Sequence, residues 1–409
     1  MIAEQKTLVR LKEELKKEGA LSIINVVNYL IAHAYDCRAS DIHITPTNGG
    51  LRVRLRIDGV LQDSLLMSKE IHSEVISRIK VIAGLRTDEH QTAQDGRFRT
   101  SVADGANIDI RVSISPTYYG ENSVLRLLSD KAAHFSLEAL GFNKIDEKKI
   151  VDAIHKPFGM ILATGPTGSG KTTTLYTIIK MLNTKDVSIV TIEDPIEYAI
   201  SDITQIQVNQ RTGLTFAGGL RSVLRQDPNI IMVGEIRDHE TAGIAVNTAL
   251  TGHLLLSTIH TNDAATTVPR LLDMNIESFL VASTVNIAIG QRLVRRICDK
   301  CKKEKKPSAA EIKSLSEAFP MKKSFQNVLF YHGEGCDDCA GSGYSGRIGI
   351  NEVMVVDNAL REAMLRKASA AELKKIAVQN GMTTMLEDSL EKALNGVTTV
   401  EEVLRVIHE

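Results

Sequence analysis

The sequence has no tryptophan, few other aromatic residues and almost no net charge. Aromatic residues make up 4% of the 409 residues, and 49 lysines and arginines are balanced by 50 aspartates and glutamates. Proteins that track along nucleic acid usually present aromatic stacking surfaces and an excess of positive charge. The composition therefore disfavours a nucleic-acid partner and leaves only a local basic patch as a route to one.

The sequence also lacks a long uninterrupted apolar run. Its longest apolar stretch, residues 20–35, contains Ser22, Asn25, Asn28 and His33, so we expect a buried helix there and not a membrane span. The amino-terminal residues show no signal-peptide pattern, which predicts a cytoplasmic protein.

Only five cysteines are present, and four of them form two C-x-x-C pairs, Cys298 with Cys301 and Cys336 with Cys339. In a reducing compartment these pairs predict a structural Zn²⁺ site, because four thiolates meet the tetrahedral preference of the ion. Redox-active or unpaired thiols are the alternative. We expect the basic residues around the first pair to be solvated, with contact to anionic lipid or an acidic partner as the second interpretation. These basic residues are Arg295, Arg296, Lys300, Lys302, Lys303, Lys305 and Lys306.

The strongest motif is a glycine-rich loop between a predicted strand and a predicted helix. Residues 160–162 are apolar, residues 165–172 have the sequence GPTGSGKT, and a helical pattern follows. In this pattern backbone N–H groups surround a di- or triphosphate, Lys171 reaches the β and γ oxygens, and the Thr172 hydroxyl binds Mg²⁺. A glycine turn that only caps a helix is the alternative, which the flanking strand and helix disfavour. The predicted nucleotide site consists of Gly165, Pro166, Thr167, Gly168, Ser169, Gly170, Lys171, Thr172 and Thr173.

Two further apolar segments end in carboxylates. Residues 187–192 lead to Glu193, and residues 229–233 lead through Gly234 to Glu235. Common P-loop enzymes have a metal-binding aspartate where Gly234 stands here. We therefore predict that Glu235 orients or deprotonates the attacking water and that Glu193 contacts Mg²⁺ through a water molecule. A surface carboxylate at the end of a strand is the alternative for Glu235.

A fourth predicted strand, residues 254–259, has a histidine at each end. Ligands of parallel α/β sheets bind at the carboxyl ends of the strands. We therefore predict that His260 senses the γ-phosphate. His253 lies at the opposite end and is predicted to be structural.

The N-terminal third predicts a small α+β domain. Residues 51–57, with the sequence LRVRLRI, alternate strictly and predict a half-buried strand with its arginines in solvent. From the residues alone we expect Arg97 and Arg111 on a solvated strand face. The other elements predicted here are a helix at 69–84 and strands at 42–44, 60–66, 108–114 and 124–128.

The patterns divide the chain into successive segments. They are a linker helix in residues 1–20, the small α+β domain in 21–130, a linker in 131–136, a nucleotide-binding core in 137–294, a zinc module in 295–348 and a helical region in 349–409.

Together these motifs resemble those of type II secretion and type IV pilus assembly ATPases, the GspE/PilB branch of the secretion ATPase superfamily. The resemblance extends from about Ser22 to the end of the chain. Its motifs are ASDIHI at 39–44 and QDGR at 94–97 in the N-terminal domain, the Walker A motif at 165–172, the aspartate box at 191–197, the Walker B motif at 233–238, the histidine box at 252–263 and the four cysteines.

The resemblance implies an α/β fold in which a RecA-like P-loop ATPase domain follows a small PAS-like α+β domain and carries an inserted zinc module and a helical C-terminal cap. It implies a cytoplasmic homo-hexamer, peripheral at the inner membrane, that uses ATP, Mg²⁺ and Zn²⁺. The implied partner is a polytopic inner-membrane platform protein, with only indirect membrane contact and no nucleic acid. Pilus retraction ATPases generally lack the cysteines, so assembly of a pilus or of a secretion pseudopilus is expected here.

The resemblance also implies that Arg97, Arg111, Arg221 and Arg347 line or approach the nucleotide. This replaces the expectation of a solvated face for the first two. Two features depart from the family. Residues 90–93, HQTA, stand where relatives tend to have basic residues and a proline, and the family's additional N-terminal domain is missing, which predicts either a naturally short member or a shortened form.

Two functions from other classes remain alternatives. A nucleic-acid translocase is disfavoured by the balanced charge and the few aromatic residues. A nucleotide-sensing scaffold that binds without turnover predicts that Glu235→Gln leaves function intact.

Overall fold

The computed structural model describes residues 2–17, 21–102, 105, 107–128, 136–319, 325 and 328–408. The chain divides into two compact units, Met1–Ala133 and His134–Glu409. Of the linker predicted at 131–136, only Ser136 belongs to the described residues. None of the helices in the described part of the chain combines the length and apolarity that a membrane span requires.

The first unit is built around a six-stranded antiparallel sheet. Residues Leu11, Val27 and Ile79 of its helices pack with strand residues such as Ile44 and Ile110 in a single core. The strand order is β3-β2-β1-β6-β5-β4. The elements are α1 (Ile2–Leu15), α2 (Ile23–Asp36), β1 (Ala39–Thr47), β2 (Gly50–Ile57), β3 (Val60–Met67), α3 (His72–Ile82), β4 (Gln94–Ser101), β5 (Asn107–Thr117) and β6 (Gly120–Leu128).

The predicted alternation along β2 is confirmed, because Leu51, Val53 and Leu55 are buried while Arg52 is exposed. The strands predicted from the sequence do not include β4, although Arg97 is expected on a solvated strand face. This strand lies at the edge of the sheet and alternates between exposed and half-buried residues, and its sequence QDGRFRTS contains one large apolar residue. Such an edge strand has little hydrophobic signal.

The second unit is an α/β structure around a seven-stranded sheet and a separate two-stranded one. Its helices are α4 (Lys144–Ile154), α5 (Lys171–Leu182), α6 (Phe216–Val223), α7 (His239–Leu250), α8 (Thr267–Asp273), α9 (Ser278–Thr284), α10 (Ala309–Ala318), α11 (Asn358–Leu365), α12 (Ala370–Gln379), α13 (Met385–Leu394) and α14 (Val400–His408). Its strands are β7 (Gly159–Thr164), β8 (Ile189–Glu193), β9 (Thr204–Gln207), β10 (Ile230–Val233), β11 (Leu254–Ile259), β12 (Val285–Ile297), β13 (Lys302–Lys305), β14 (Phe330–Gly333) and β15 (Tyr344–Val355).

The strand order in the large sheet is β15-β12-β7-β11-β10-β8-β9, and only β15 runs antiparallel to its neighbour. The central strands are buried on both faces, as is usual for parallel strands. Along β7, Met160 and Leu162 belong to one core, and Ile161 and Ala163 belong to the core on the opposite face. The α/β fold class predicted from the sequence is confirmed.

The C-terminal region differs from the prediction of helices from residue 349 onward. Strand β15 continues to Val355 and pairs with β12 from Ile287 opposite Val355 to Ile297 opposite Tyr344. The sequence boundaries at 294 and 348 therefore both fall inside paired strands. The cysteine-containing segment leaves the large sheet through β12 and returns through β15, and the helical end begins at α11.

Candidate nucleotide-binding site and four-cysteine cluster

Adjacent parallel strands bring most of the predicted site residues to one edge of the large sheet. Strands β7, β11, β10 and β8 are neighbours in this order, so their carboxyl ends lie side by side. The glycine loop follows β7, His260 follows β11, and Glu235 lies two residues after β10. Glu193 is the last residue of β8.

The glycine loop has a backbone conformation that residues with a Cβ atom rarely adopt. Gly165, Gly168 and Gly170 have φ angles of 142°, 78° and 90°. Pro166 and Thr167 at its crest are exposed, and α5 begins directly after the loop. The free N–H groups and the positive dipole end at the start of this helix favour an anion.

Lys171 lies at the start of α5 and points back to the loop. Its Nζ donates hydrogen bonds to the carbonyl oxygens of Gly165 at 2.8 Å and Pro166 at 2.9 Å. Burial lowers the pKa of the Lys171 ammonium, and the negative charge of Glu235 acts in the opposite direction.

Glu235 is surrounded by cationic and titratable groups. Its Oε2 atom lies 2.5 Å from Arg237 Nε and 3.1 Å from His260 Nε2. Glu235 is 8% exposed. A cavity of about 390 Å³ beside it is lined by Ile236, Arg237, His260 and Arg270. The carboxylate predicted to activate water and the histidine predicted to sense phosphate are thus in direct contact. Sequence reasoning assigned no role to Arg237 or Arg270.

Glu193 is held by neutral donors. Its Oε1 atom accepts hydrogen bonds from Thr191 Oγ1 at 2.5 Å and Gln205 Nε2 at 3.1 Å, and its Oε2 atom accepts one from the Tyr176 hydroxyl. Burial and the Glu193 carboxylate raise the pKa of Tyr176, so the phenol remains a donor. Glu193 is 2% exposed, and three hydrogen bonds fix its orientation. Tyr176 was not identified from the sequence, because it stands in the helical pattern of α5 like any core residue.

In the first unit, Arg97 and Arg111 are directly opposite each other on β4 and β5, and Arg111 is opposite Arg126 on β6. Directly paired residues of antiparallel strands point to the same face, so three guanidinium groups form one row. Arg126 Nε donates to Asp41 Oδ1 at 2.9 Å. Like charges in such positions are destabilising unless an anion compensates them.

The other two predicted arginines lie elsewhere in the second unit. Arg221 Nη2 donates to Glu240 Oε1 at 2.6 Å. Arg347 is exposed on β15 opposite Arg295. Arg295 is five residues beyond Gly290, which pairs with the last residue of β7, so Arg347 lies about 16 Å along the strands from the base of the glycine loop.

The four predicted metal-binding cysteines form one cluster. Their sulfur atoms all lie within 4.8 Å of one another. The Sγ–Sγ distance is 3.8 Å between Cys298 and Cys336, 3.8 Å between Cys301 and Cys339, and 3.7 Å between Cys336 and Cys339. Sulfur atoms at about 2.3 Å from a tetrahedral Zn²⁺ are separated by about 3.8 Å. The cluster therefore has the donors and the geometry for a tetrahedral metal ion.

The thiols of the cluster do not share one environment. Burial raises the pKa of Cys301 to about 12. For Cys339 burial acts in the same direction, but N–H groups of Cys336 and Gly343 and the neighbouring thiols outweigh it and lower the pKa to about 7. A bound metal ion would favour the thiolate form of all four.

Several of the basic residues near the first cysteine pair have acidic partners. Arg295 Nη2 lies 2.8 Å from Glu402 Oε1, and Lys305 Nζ lies 2.6 Å from Glu401 Oε1. Arg296 Nη2 lies 3.2 Å from an Asp299 oxygen. These pairs offset the charge of three of the seven basic residues.

A glycine loop between a strand and a helix, with a carboxylate after another parallel strand of the same sheet, defines a P-loop ATPase. More specifically, the chain belongs to the family of type II/IV secretion system proteins, which matches residues 16–405.

Relatives from both kinds of machinery are similar to the chain. It is 44% identical to the type IV pilus assembly ATPase PilB of Myxococcus xanthus, over 96% of this chain and 69% of the relative. It is 46% identical to the type II secretion system protein E of Xanthomonas campestris, over 95% of this chain and 68% of the relative. With PilB of Thermus thermophilus the identity is 47%, over 92% of this chain and 42% of the relative.

Solved structures show the same fold. The Legionella pneumophila ATPase DotB has a TM-score of 0.72 at 23% identity, covering 96% of this chain and 98% of that one. The pilus retraction motor PilT with bound ADP has a TM-score of 0.63 at 26% identity, covering 92% of this chain and 95% of that one. These comparisons confirm the predicted resemblance to secretion and pilus assembly ATPases, and with it the assignment as an ATPase.

Proposed function

We propose that this chain is a motor ATPase that couples ATP hydrolysis to assembly of a type IV pilus or of the pseudopilus of a type II secretion system. The observation that carries the proposal is the meeting of the glycine loop, Glu235 and His260 at one edge of the sheet. Relatives named for the two machineries are similar to the chain at 44% and 46% identity, so both remain open.

In the proposed reaction the triphosphate binds across the glycine loop, against the N–H groups at the start of α5. Lys171 moves from the loop carbonyls to the β and γ oxygens, and Thr172 would hold Mg²⁺. When bound, the ion offsets phosphate charge. Glu235 orients or deprotonates the attacking water, and His260, in contact with Glu235, responds to the γ-phosphate. Glu193, fixed by its three donors, would contact the bound ion through a water molecule.

Arg97 and Arg111 are proposed to supply positive charge to the nucleotide. The direct pairing of Arg97 with Arg111 supports this, since it places both guanidinium groups on the same face of the sheet. The proposed roles of Arg221 and Arg347 rest on the family resemblance alone.

Replacing Arg97 with alanine is expected to lower kcat about 100-fold, because a preorganised donor to transition-state charge is lost. The measurement is steady-state Mg-ATPase activity of the full chain. Arg99→Ala is the matched control, because Arg99 lies on the same strand but is opposite Asp109. Equal losses in both variants would contradict a specific role for Arg97.

The four-cysteine cluster is proposed to hold one structural Zn²⁺. Cys336→Ser is expected to reduce bound zinc from about one ion per chain to near zero, since the tetrahedral site loses a thiolate. Elemental analysis of the purified protein measures this. Cys37→Ser is the control, because Cys37 lies outside the cluster, and it should retain one ion. Retention of a full equivalent by Cys336→Ser would disprove the assignment.

The proposed working form is a cytoplasmic homo-hexamer beneath an inner-membrane platform protein. The test is Mg²⁺-dependent ATPase activity with and without the cytoplasmic domain of a candidate platform protein from the same operon. Stimulation by that domain is the expected result. Stimulation by DNA with a steep salt dependence would instead support a nucleic-acid translocase.

A further inference from the structure

Gln291 is a polar residue buried in the middle of β12. It is 1% exposed. The preceding residue, Gly290, pairs with Thr164, the last residue of β7. Gln291 therefore occupies the position beside β7 at which the glycine loop leaves the sheet.

Both ends of the glycine loop rest against this residue. A Cβ atom placed on Gly165 would lie 2.2 Å from the carbonyl oxygen of Gln291, and one placed on Gly170 would lie 3.2 Å from its Nε2 atom. The first glycine thus packs against the backbone of Gln291, and the last glycine packs against its side chain.

The side chain of Gln291 is also bound to the helix that follows the loop. Thr174 Oγ1, which is fully buried, donates a hydrogen bond of 2.8 Å to Gln291 Oε1. Lys171, three residues earlier, donates to the carbonyl oxygen of Gly165. One residue of β12 therefore contacts the start of the loop, its end and the first turn of α5.

We propose that Gln291 is a positioning residue that holds the glycine loop in its phosphate-binding shape through Gly165, Gly170 and Thr174. This inference rests on the proposed ATPase function and adds a residue from outside the recognised motifs. The loop places N–H donors around phosphate only while its backbone conformation is kept. Loss of the contacts that Gln291 makes with the loop should therefore lower nucleotide affinity.

The chemistry of the position explains why an amide suits it. The buried Thr174 hydroxyl donates to Gln291 Oε1, and removing the acceptor of a buried hydroxyl costs free energy. A carboxylate would supply the oxygen but would add negative charge beside the phosphates. A residue of similar size without an oxygen, such as methionine, would fill the space but would remove the hydrogen bond between the Thr174 hydroxyl and β12.

The test measures binding of a fluorescent ATP analogue and steady-state ATPase kinetics for the full chain. Gln291→Met and Thr174→Val are each expected to weaken nucleotide binding about tenfold, with KM raised more than kcat is lowered. The double variant should lose little more than either single variant, because both remove the same hydrogen bond. Thr174→Ser keeps the hydroxyl and should restore affinity to near the parental value.

Thr248→Val is the matched control. Thr248 is also a buried helical threonine, but its hydroxyl donates to the carbonyl oxygen of Ile244 in its own helix. This variant should bind nucleotide like the parent even if its melting temperature falls. If Gln291→Met does not fold, the comparison of Thr174→Val with Thr174→Ser still tests whether the hydrogen bond to Gln291 affects nucleotide affinity.

Parental affinity in both Gln291→Met and Thr174→Val, or additive losses in the double variant, would overturn the positioning role. A parent chain that binds no ATP analogue would instead contradict the proposed function. The two failures are therefore distinguishable in one set of measurements.

Discussion

Glu235→Gln is expected to lower kcat for ATP hydrolysis by about 100-fold to 1,000-fold, with ATP binding close to the parental level. The amide keeps the size of the side chain but cannot accept a proton from water. Its position is held by Arg237 and His260, which contact the same oxygen of Glu235. Single-turnover hydrolysis and nucleotide binding, measured on the same preparation, separate the two effects.

Glu372→Gln is the control for this variant. Glu372 pairs with Arg366 at the surface of the second unit, and both side chains are substantially exposed. Exposed ion pairs of this kind contribute little to the free energy of unfolding, and this one is not part of the proposed ATP site. Turnover should therefore be unchanged. If Glu235→Gln hydrolysed ATP at the parental rate, Glu235 could not be the group that activates the attacking water.

Lys171→Ala is expected to remove both binding and turnover, with ATP affinity reduced about 100-fold or more. The ammonium is the charged donor for the β and γ oxygens, and charge-assisted hydrogen bonds in a partly buried site are strong. The substitution also removes the two hydrogen bonds that Lys171 Nζ donates to the loop carbonyls. Equilibrium binding of a fluorescent ATP analogue measures the loss.

Lys180→Ala provides the comparison within the same helix. Lys180 lies near the end of α5, with its Nζ 5.0 Å from the centre of the Tyr198 ring. Removing it changes the net charge by the same amount as Lys171→Ala, so a similar loss of affinity in both variants would indicate a general electrostatic effect. Full ATP turnover by Lys171→Ala would contradict the placement of the ATP site at the glycine loop.

The nucleotide edge of the sheet could be predicted from the sequence because each of its parts has a local signal. The glycine loop has fixed spacing, and β7, β10 and β11 are short apolar runs that fully buried parallel strands require. Their order in the sheet has no such signal. The contact between His260 and Glu235 depends on β11 lying beside β10, which only the structure shows.

Other parts of the site had weak signals or none. The pairing of Arg97 with Arg111 requires β4, whose polar alternation resembles a loop. Gln291 had a weak local signal, since this polar side chain follows the short apolar run from Ile287 to Ile289 in β12. Its contacts with Gly165 and Thr174 join parts of the chain more than 100 residues apart, and spacing within one segment carries no information about them.

The pairing of β12 with β15 has a consequence for how the cysteine segment can be removed. In the sheet alone, Ile297 and Tyr344 form the closed end of a hairpin, so a short turn could join them. The inserted segment also supplies Leu315, Phe319 and Phe330, which pack against Leu390 and Val403 of the last two helices. A chain shortened to this hairpin would keep its central sheet but would expose an apolar surface on α13 and α14. Such a surface favours aggregation, so those helices would have to be redesigned as well.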